Sequence, residues 1–485
     1  MSDDAALGQI APSVEIAPQG LPDQVDVTTA AAAAQPDHRG ERARRLKWSI
    51  ITSLITKPLA FVTPIITVPL FLHYLGKERY GLFESVGALA IWLTLTNGGL
   101  SLGLLNRLTD CHVSGDRVLA RKYTSSLVLV LLAMTIVFTL IVSAIVPAVD
   151  WQRVFPVGDP VARRETPIAV WTAAMITLWG LLFAVAHPIY AAYQENHRNN
   201  LWDGAAKVFT LIACLLVVLT KWGVVGVILA AAGVPMLVRF INTMVLFGWE
   251  KRWLLPSPRY FDHRLLMGTV KQGVGLFIIA SAAMGIFHVD KLIIGHMLGQ
   301  DAVAEYSVVG RPFTIVFGLY SLLLSPLWPA FGEALRRGDV EWVRRTLRWS
   351  ILAGFGAIVA CGVGMFFFAD RILSVWTRGA VADVSRSLVI AMTALFAMWI
   401  WMSSLSIVLN SAGVLRAQMK FMALHAVLNV LLAFALAKPF GVTGVAWSMS
   451  ITGLLTSAWG YPWMVRKHIL QRAWTTPAPA PPAAT

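Results

Sequence analysis

Long apolar runs separated by short polar corners make up most of the chain. A transmembrane helix needs about 20 predominantly apolar residues, and twelve runs meet that length. They lie near 48–75, 82–106, 123–148, 167–193, 201–220, 224–248, 270–295, 303–330, 347–369, 387–411, 421–438 and 442–464. The pattern predicts an all-α polytopic membrane protein with about twelve transmembrane helices.

Two of the polar corners recur in the second half of the chain. The first run ends in His-Tyr-Leu-Gly at Gly76, and a similar corner, His-Met-Leu-Gly, ends at Gly299. A Gly-x-x-Gly corner that begins at Gly223 recurs at Gly441. The two anchors occur in the same order at a similar offset. They predict two parallel halves built from similar helices.

Composition supports a membrane protein and argues against a nucleic-acid partner. Hydrophobic residues make up 57% of the chain and charged residues only 14%, with a mean hydropathy of +0.66. Soluble domains average about 25% charged residues. The net charge of +14 follows the positive-inside bias, because Lys and Arg cluster in corners on one predicted side of the membrane. These clusters lie at 39–47, 107–122, 251–271, 336–348 and 466–472.

The charge distribution also sets the predicted topology, with both termini in the cytoplasm. A basic, proline-containing segment at 249–269 is the expected cytoplasmic linker between an N-terminal six-helix lobe, 47–248, and a C-terminal six-helix lobe, 270–465. The ends of the chain, 1–46 and 466–485, lack apolar periodicity and contain stretches rich in Ala and Pro. We expect them to be disordered cytoplasmic tails.

The sequence favours a transporter over an enzyme. It contains no GxxxxGK[ST] phosphate-binding loop, no metal-ligand spacing among His, Asp, Glu and Cys, and no arrangement typical of nucleophilic catalysis. The loops predicted on the outer side are short, whereas enzymes of polysaccharide assembly usually expose a larger one. We therefore expect no metal and no cofactor.

Ionisable side chains inside the apolar runs are the candidate functional residues. Each costs about 2.5–3.5 kcal/mol at the bilayer centre, so such residues usually face a wet cavity or a partner. The candidate substrate-binding cations are Lys57, Arg239, Lys291 and Arg311, and the candidate coupling or charge-balancing residues are Asp290 and Asp203.

Structural roles remain open for several of these residues. Asp203 can form an ion pair with Lys207, one helical turn away. Asp290 and Lys291 are adjacent and point in different directions on a helix, so each needs its own partner. The long side chains of the cations can also reach the membrane surface.

Proline and glycine predict interruptions in the first two spans. Pro58, Pro64 and Pro69 are expected to break the first run, and the Asn-Gly-Gly sequence at 97–99 is expected to interrupt the second. Broken helices free backbone groups that can contact a substrate, and transporters often place their sites there.

Several short motifs resemble the Wzx-type polysaccharide flippases of bacteria. They are the corner at 75–82, the Asp-Lys-Leu-Ile-Ile-Gly sequence at 290–295 with the residues that follow it, the glycine corner at 223–227, and the turn at 193–198. The resemblance covers about residues 45–465. It implies two six-helix lobes around a central cavity, as in the wider group that includes multidrug exporters and the lipid II flippase.

The same resemblance implies a function. The expected cargo is an undecaprenyl-pyrophosphate-linked oligosaccharide, moved from the cytoplasmic to the outer leaflet of a bacterial inner membrane during exopolysaccharide or O-antigen assembly. A polymerase and a chain-length regulator of that pathway are the implied partners.

Two alternatives remain at this point. One is a cation-coupled multidrug exporter; the other, from a different class, is a membrane enzyme or scaffold of polysaccharide assembly. The candidate charges inside the spans are mainly positive, which favours an anionic cargo over cationic drugs. We expect at least two of the four cations to line one cavity and bind the pyrophosphate.

Overall fold

The computed structural model describes residues 38–97, 99–269, 288–381 and 383–467, which form helices joined by short corners. The helices are α1 (His38–Leu75), α2 (Lys77–Trp92), α3 (Leu100–Ser114), α4 (Arg117–Ala148), α5 (Pro160–Phe183), α6 (Ala186–Ala192), α7 (Asn196–Val217), α8 (Gly223–Glu250), α9 (288–297), α10 (Gln300–Leu324), α11 (Leu327–Arg336), α12 (Val340–Trp376), α13 (Arg386–Ser411), α14 (Leu415–Leu455) and α15 (Ser457–Val465). Shorter helical segments occur at Leu93–Asn97, Trp151–Val154, Arg252–Leu254, Pro258–Tyr260 and 263–269.

The predicted class, an all-helical polytopic membrane protein, is confirmed. Within the described residues, nine helical stretches are long and apolar enough to cross a membrane. The sequence predicted about twelve spans, and three features account for the difference from nine. The second predicted span is divided between α2 and α3, and most of the seventh (270–287) lies outside the described residues. The last two are joined in one stretch, Leu415–Val465, in which the backbone is kinked at Gly441 (φ 60°, ψ −145°), between the two predicted spans.

The prediction that three prolines break the first span is wrong, because α1 continues through all of them. A proline inside a helix lacks the N–H that would bond the carbonyl four residues earlier. For Pro69 that carbonyl belongs to Ile65, and it accepts a hydrogen bond from the indole N–H of Trp376 at 2.8 Å. A partner from elsewhere in the fold thus satisfies the freed group, as membrane helices require.

The first helix also begins earlier than the predicted end of the N-terminal tail. Its first residue is His38, whereas the tail was expected to extend to residue 46. Arg and Lys, which are frequent between 39 and 47, have high helix propensity and allow the helix to extend beyond the apolar run. Residues 1–37 and 468–485 of the two predicted tails lie outside the described residues.

The predicted interruption of the second span is present. α2 ends at Trp92, and Leu93–Asn97 tightens into a 3₁₀ turn. Gly99 has a left-handed backbone conformation (φ 76°) immediately before α3. Only glycine adopts this conformation without steric cost, so the Asn-Gly-Gly sequence ends one helix and starts another.

The four glycines of the predicted repeat all have a positive φ, and the φ values match within each pair. Gly76 (φ 77°, ψ 171°) precedes α2, and Gly299 (φ 89°, ψ 172°) precedes α10. Gly223 (φ 61°) and Gly441 (φ 60°) form the second matched pair. This conformational match supports the interpretation of two related halves. We call α1–α8 the N-terminal half and α9–α15 the C-terminal half.

Hydrogen bonds hold the Gly76 and Gly223 corners together. The Tyr74 hydroxyl donates to the carbonyl of Thr220 at 2.6 Å and accepts from the N–H of Gly223 at 3.2 Å. Glu165 accepts from Arg79 at 2.6 Å and from the N–H of Val224 at 3.0 Å. Both corners of the N-terminal half therefore lie at the same end of the helix bundle.

The segment predicted to be a linker, 249–269, is packed against the N-terminal half. Lys251 forms a salt bridge of 3.0 Å with Glu195 in the corner between α6 and α7. The guanidinium of Arg121 on α4 lies 4.3 Å from the ring centroid of Tyr260. The N–H of Asp262 donates to the Ser126 hydroxyl at 2.8 Å. Contacts at 251, 260 and 262 thus hold the segment against the N-terminal half.

Among the described residues, the two halves approach each other closely where α2 crosses the start of α10. Gly81 leaves so little space that a Cβ atom there would lie 1.8 Å from the carbonyl oxygen of Gln300. The Ser85 hydroxyl donates to the Gln300 side-chain oxygen at 2.7 Å. We call this contact of α2 with α9 and α10 the seam. It begins near the Gly76 and Gly299 corners.

Candidate functional site

Two adjoining cavities lie next to the seam, the first between the two halves and the second inside the C-terminal half. The first, of about 310 Å³, is lined by α1, α2 and α8 together with residues of α9 and α10. The second, of about 190 Å³, is lined by α9, α10 and α13, with Met449 from α14. His288, Lys291 and Arg311 line both cavities. We call the two cavities and their shared wall the central site.

The centre of this wall is an ion cluster built from both halves. Glu84 on α2 accepts hydrogen bonds on one carboxylate oxygen from Lys291 on α9. Its other oxygen accepts from Arg311 on α10 at 2.7 Å and from the Tyr80 hydroxyl at 2.8 Å. The Glu84 side chain is 9% exposed, and those of Lys291 and Arg311 are 17% and 21% exposed. A carboxylate this buried is stable only if its charge and lone pairs are satisfied.

Asp290 lies beside this cluster but faces the inside of the C-terminal half. Its carboxylate is 3% exposed and accepts from the Tyr306 hydroxyl at 2.9 Å and the Asn429 amide at 3.4 Å. Ser448 in turn donates to the Asn429 side-chain oxygen at 3.0 Å. The hydrogen-bond partners of Asp290 among the described residues are therefore neutral. Asp290 and Lys291 have separate partners, because adjacent helical residues point in different directions.

The structure places the other predicted site residues elsewhere. Arg239 and Asp203 line a separate cavity of about 260 Å³ between α5, α6, α7 and α8. The Asp203 carboxylate lies 3.7 Å from the His187 ring on α6, and among the described residues it does not form the expected ion pair with Lys207. Lys57 is exposed on α1 and lines neither this cavity nor the central site. Lys291 and Arg311 are thus the two predicted cations that meet.

Sequence reasoning missed Glu84. The signal was available, since this carboxyl lies inside the second predicted span just as Asp290 lies inside the seventh. Its presence corrects the expectation that the charges of the site are mainly positive. The central site contains two cations, Lys291 and Arg311, and two carboxyl groups, Glu84 and Asp290. Tyr80, in the repeated corner, is a second functional candidate that was missed.

The ion cluster has the geometry of an oxyanion-binding site that is occupied by the protein's own carboxylate. An ammonium and a guanidinium converge on two oxygen atoms of one acid. Phosphate oxygens accept the same charge-assisted hydrogen bonds. Among the described residues, no group of three or more His, Cys, Asp or Glu could hold a metal ion.

Comparisons with known proteins agree on the class of the chain. Residues 44–335 match the family model described as "Polysaccharide biosynthesis protein", and residues 277–435 match the MatE model. The chain is 20% identical over 412 residues to a Salmonella typhimurium protein named "Putative O-antigen transporter", covering 85% of this chain and 94% of that protein. It is 21% identical over 410 residues to a Yersinia pseudotuberculosis protein named "Putative O-antigen export protein", covering 83% and 92%.

Solved structures share the fold. The inward-facing structure of a multidrug resistance MATE family transporter of the MOP superfamily has a TM-score of 0.71 at 14% identity, covering 90% of this chain and 100% of that one. The lipid II flippase MurJ, in an inward closed conformation, has a TM-score of 0.65 at 15% identity, covering 88% and 90%. At such identities the likeness establishes a common fold, and function must be argued from the site.

Proposed function

The chain belongs to the polysaccharide biosynthesis protein family of membrane transporters, and on this premise we propose that it flips an undecaprenyl-pyrophosphate-linked oligosaccharide between leaflets. The cargo moves from the cytoplasmic to the outer leaflet during exopolysaccharide or O-antigen assembly. Transport proceeds by alternating access, with the central site exposed to each side in turn. Similarity to the two proteins named for O-antigen transport and export supports this cargo class.

The proposal includes the arrangement in the membrane. Twelve helices form two six-helix lobes, 47–248 and 270–465, around the central site, and the chain resides in a bacterial inner membrane. The termini and the 249–269 linker face the cytoplasm, since basic residues concentrate there. The matched glycine corners and the shared fold support the two-lobe arrangement. A polymerase and a chain-length regulator of the same pathway are the proposed partners.

The observation that carries the proposal is the convergence of Lys291 and Arg311 on one pair of acidic oxygens. A pyrophosphate that entered hydrocarbon unaided would lose its hydration, which costs several kcal/mol or far more per charge. An ammonium and a guanidinium replace that hydration with charge-assisted hydrogen bonds. We therefore assign Lys291 and Arg311 to binding of the pyrophosphate.

Asp290 fits a role in coupling. With both carboxyl groups ionised, the formal charges of Lys291, Arg311, Glu84 and Asp290 sum to zero. A proton on Asp290 leaves a net positive charge of one, which favours an anionic cargo. Uptake and release of a proton at Asp290 would then change the affinity for the cargo, as linkage between two ligands requires.

The remaining predicted residues are assigned to the path of the cargo outside the central site. Arg239 provides a cation in the cavity of the N-terminal half, where the Asp203 carboxylate can balance its charge. Lys57 provides an exposed cation on α1. A dispersed set of cations suits a path, because a single tight clamp would prevent release.

Neutral substitutions of the two central cations test the assignment. Loss of one hydrogen bond to a charged group costs about 1.5–3 kcal/mol, so Lys291→Gln and Arg311→Gln should each slow transport about 10- to 100-fold. The measurement is translocation of a lipid-linked oligosaccharide in proteoliposomes that contain the purified chain. Arg153→Gln is the matched control, because Arg153 is 88% exposed and lies outside the central site. Wild-type rates in both variants and in the double variant would exclude an anionic cargo at this site.

A cation-coupled multidrug exporter is the second candidate, and the two carboxyl groups of the central site favour it. The same variants separate the two functions. Lys291→Gln and Arg311→Gln remove positive charge, which should preserve or increase export of a cationic dye. The flippase proposal instead expects no dye transport by the wild-type protein.

A further inference from the structure

The ion cluster of the central site is also a bond between the two halves. Glu84 belongs to α2 in the N-terminal half, and both of its cations belong to α9 and α10 in the C-terminal half. Ser85, the next residue, bonds Gln300 across the same seam at 2.7 Å. The groups that would bind an anionic cargo are therefore the groups that hold the seam closed.

We propose that Glu84 is an internal counter-anion of Lys291 and Arg311 and that the diphosphate of the cargo displaces it. Cargo binding and opening of the seam then occur in a single step, which we call the exchange. This inference rests on the proposed function. In the empty site, Glu84 accepts hydrogen bonds from Lys291 and Arg311, and these bonds hold the seam closed. In the loaded site, the diphosphate satisfies both cations, and α2 is released from α9 and α10.

The exchange follows from the cost of unpaired buried charge. Breaking a buried ion pair by removing one partner is strongly unfavourable, because the other charge stays buried without compensation. Opening the seam without cargo would leave Lys291 and Arg311 unpaired, together with the Glu84 carboxylate. Cargo that binds without displacing Glu84 would place a second anion beside a buried carboxylate. An open seam without cargo and a closed seam with cargo are therefore both unfavourable. The concerted exchange avoids both, because each charged group always has a partner ion or water.

Displacement also requires movement of α2. Glu84 is 9% exposed, and among the described residues Tyr80 on the same helix supplies its neutral hydrogen bond. Once the cations are lost, the carboxylate needs water, and it reaches water if α2 separates from α10. The first cavity of the central site lies against Glu84 and gives it space to move.

A disulfide across the seam can report this movement. A Cβ atom built at Gly295 on α9 would lie 3.0 Å from the Ser85 hydroxyl oxygen. The Cβ atoms of a disulfide lie about 3.5–4.5 Å apart. Because the hydroxyl oxygen of Ser85 reaches this close to position 295, cysteines at 85 and 295 are a suitable pair for cross-linking the seam. The reporter is Ser85→Cys with Gly295→Cys in a full-length chain from which the native cysteines Cys111, Cys214 and Cys361 have been removed.

The experiment compares three forms of the reporter, carrying Glu84, Glu84→Gln or Glu84→Asp, in lipid nanodiscs. The rate of disulfide formation is measured without ligand, and with a long-chain prenyl diphosphate or the corresponding prenyl alcohol. Binding of the diphosphate is measured separately for each form without the cysteine pair. Gln keeps the shape of Glu without its charge, and Asp keeps the charge on a shorter side chain.

We expect the diphosphate, but not the alcohol, to slow disulfide formation about tenfold in the form with Glu84. Glu84→Gln should form the disulfide slowly without ligand and show no further response to it. It should also bind the diphosphate about tenfold more tightly, because no internal anion competes. Glu84→Asp should fall between the two. A merely structural Glu84 would instead give weaker or unchanged binding when neutralised.

Two failures can be told apart. If the form with Glu84 binds the prenyl diphosphate but its disulfide forms at an unchanged rate, the exchange is wrong and the proposed function stands. If it does not bind the diphosphate, the proposed function and the exchange both fail. Should Glu84→Gln not fold, an unchanged disulfide rate and affinity in Glu84→Asp would by itself contradict the exchange.

Discussion

Substitution of Gly81 by alanine should force the seam apart without touching any charge. A Cβ atom at position 81 would lie 1.8 Å from the carbonyl oxygen and 2.6 Å from the carbonyl carbon of Gln300. Both are backbone atoms, so no side chain can rotate to make room. Real Cβ atoms essentially never approach closer than 3.0 Å, so α2 and α10 must separate by at least 1.2 Å.

The cost of this separation sets the expected effect. Inserting a methyl group into a well-packed contact typically costs about 1–3 kcal/mol. That cost applies to the closed seam and not to an open one, so it shifts the closed-to-open ratio about 5- to 150-fold. The assay is disulfide formation between cysteines at 85 and 295, which should slow by a factor in this range. Thermal unfolding of the purified protein should also move to a lower temperature.

Gly87→Ala is the matched control for both measurements. Gly87 lies on the same helix, and a Cβ atom there would meet nothing within 4 Å. Alanine is favoured over glycine inside a helix by about 0.5–1 kcal/mol, so this variant should be as stable as wild type or more so. Equal disulfide rates in the Gly81→Ala and Gly87→Ala proteins would refute the close packing of α2 against α10.

Two further predictions concern the repeat and the topology. Gly76→Ala and Gly299→Ala should each lower the free energy of unfolding by about 1–3 kcal/mol, because their backbone conformation is almost restricted to glycine. A large loss for one and none for the other, by thermal or denaturant unfolding, would contradict the structural equivalence of the corners. A cysteine in place of Ser257, on a cysteine-free background, should resist an impermeant maleimide added outside intact cells and react after permeabilisation. Labelling from outside would reverse the proposed topology.

The class of the protein and the places where its helices turn follow from the sequence by itself. A bilayer requires about 20 apolar residues for each helix, so spans are visible as local composition. The interruption before Gly99 and the corners at Gly76, Gly223, Gly299 and Gly441 are also local, because a positive φ favours glycine wherever the residue lies in the fold. The turns after the first helix and at the repeat anchors were therefore predictable.

The continuity of α1 and the composition of the central site depended on the tertiary structure. The carbonyl of Ile65, which Pro69 leaves without its helical partner, accepts a hydrogen bond from Trp376, far away in the chain. Local sequence contains the proline but not its remote partner.

The same limit applied to the charged residues. Sequence shows that Lys57, Arg239, Lys291 and Arg311 are costly inside apolar spans, but it does not show which of them meet. Helix packing brings Lys291 and Arg311 to Glu84 on the opposite half and leaves Arg239 in a different cavity. An ion pair is a relation between distant positions, and its energy exists only once the helices have docked. The packing of the helices therefore decided which of the charged residues inside the spans lie together in the central site.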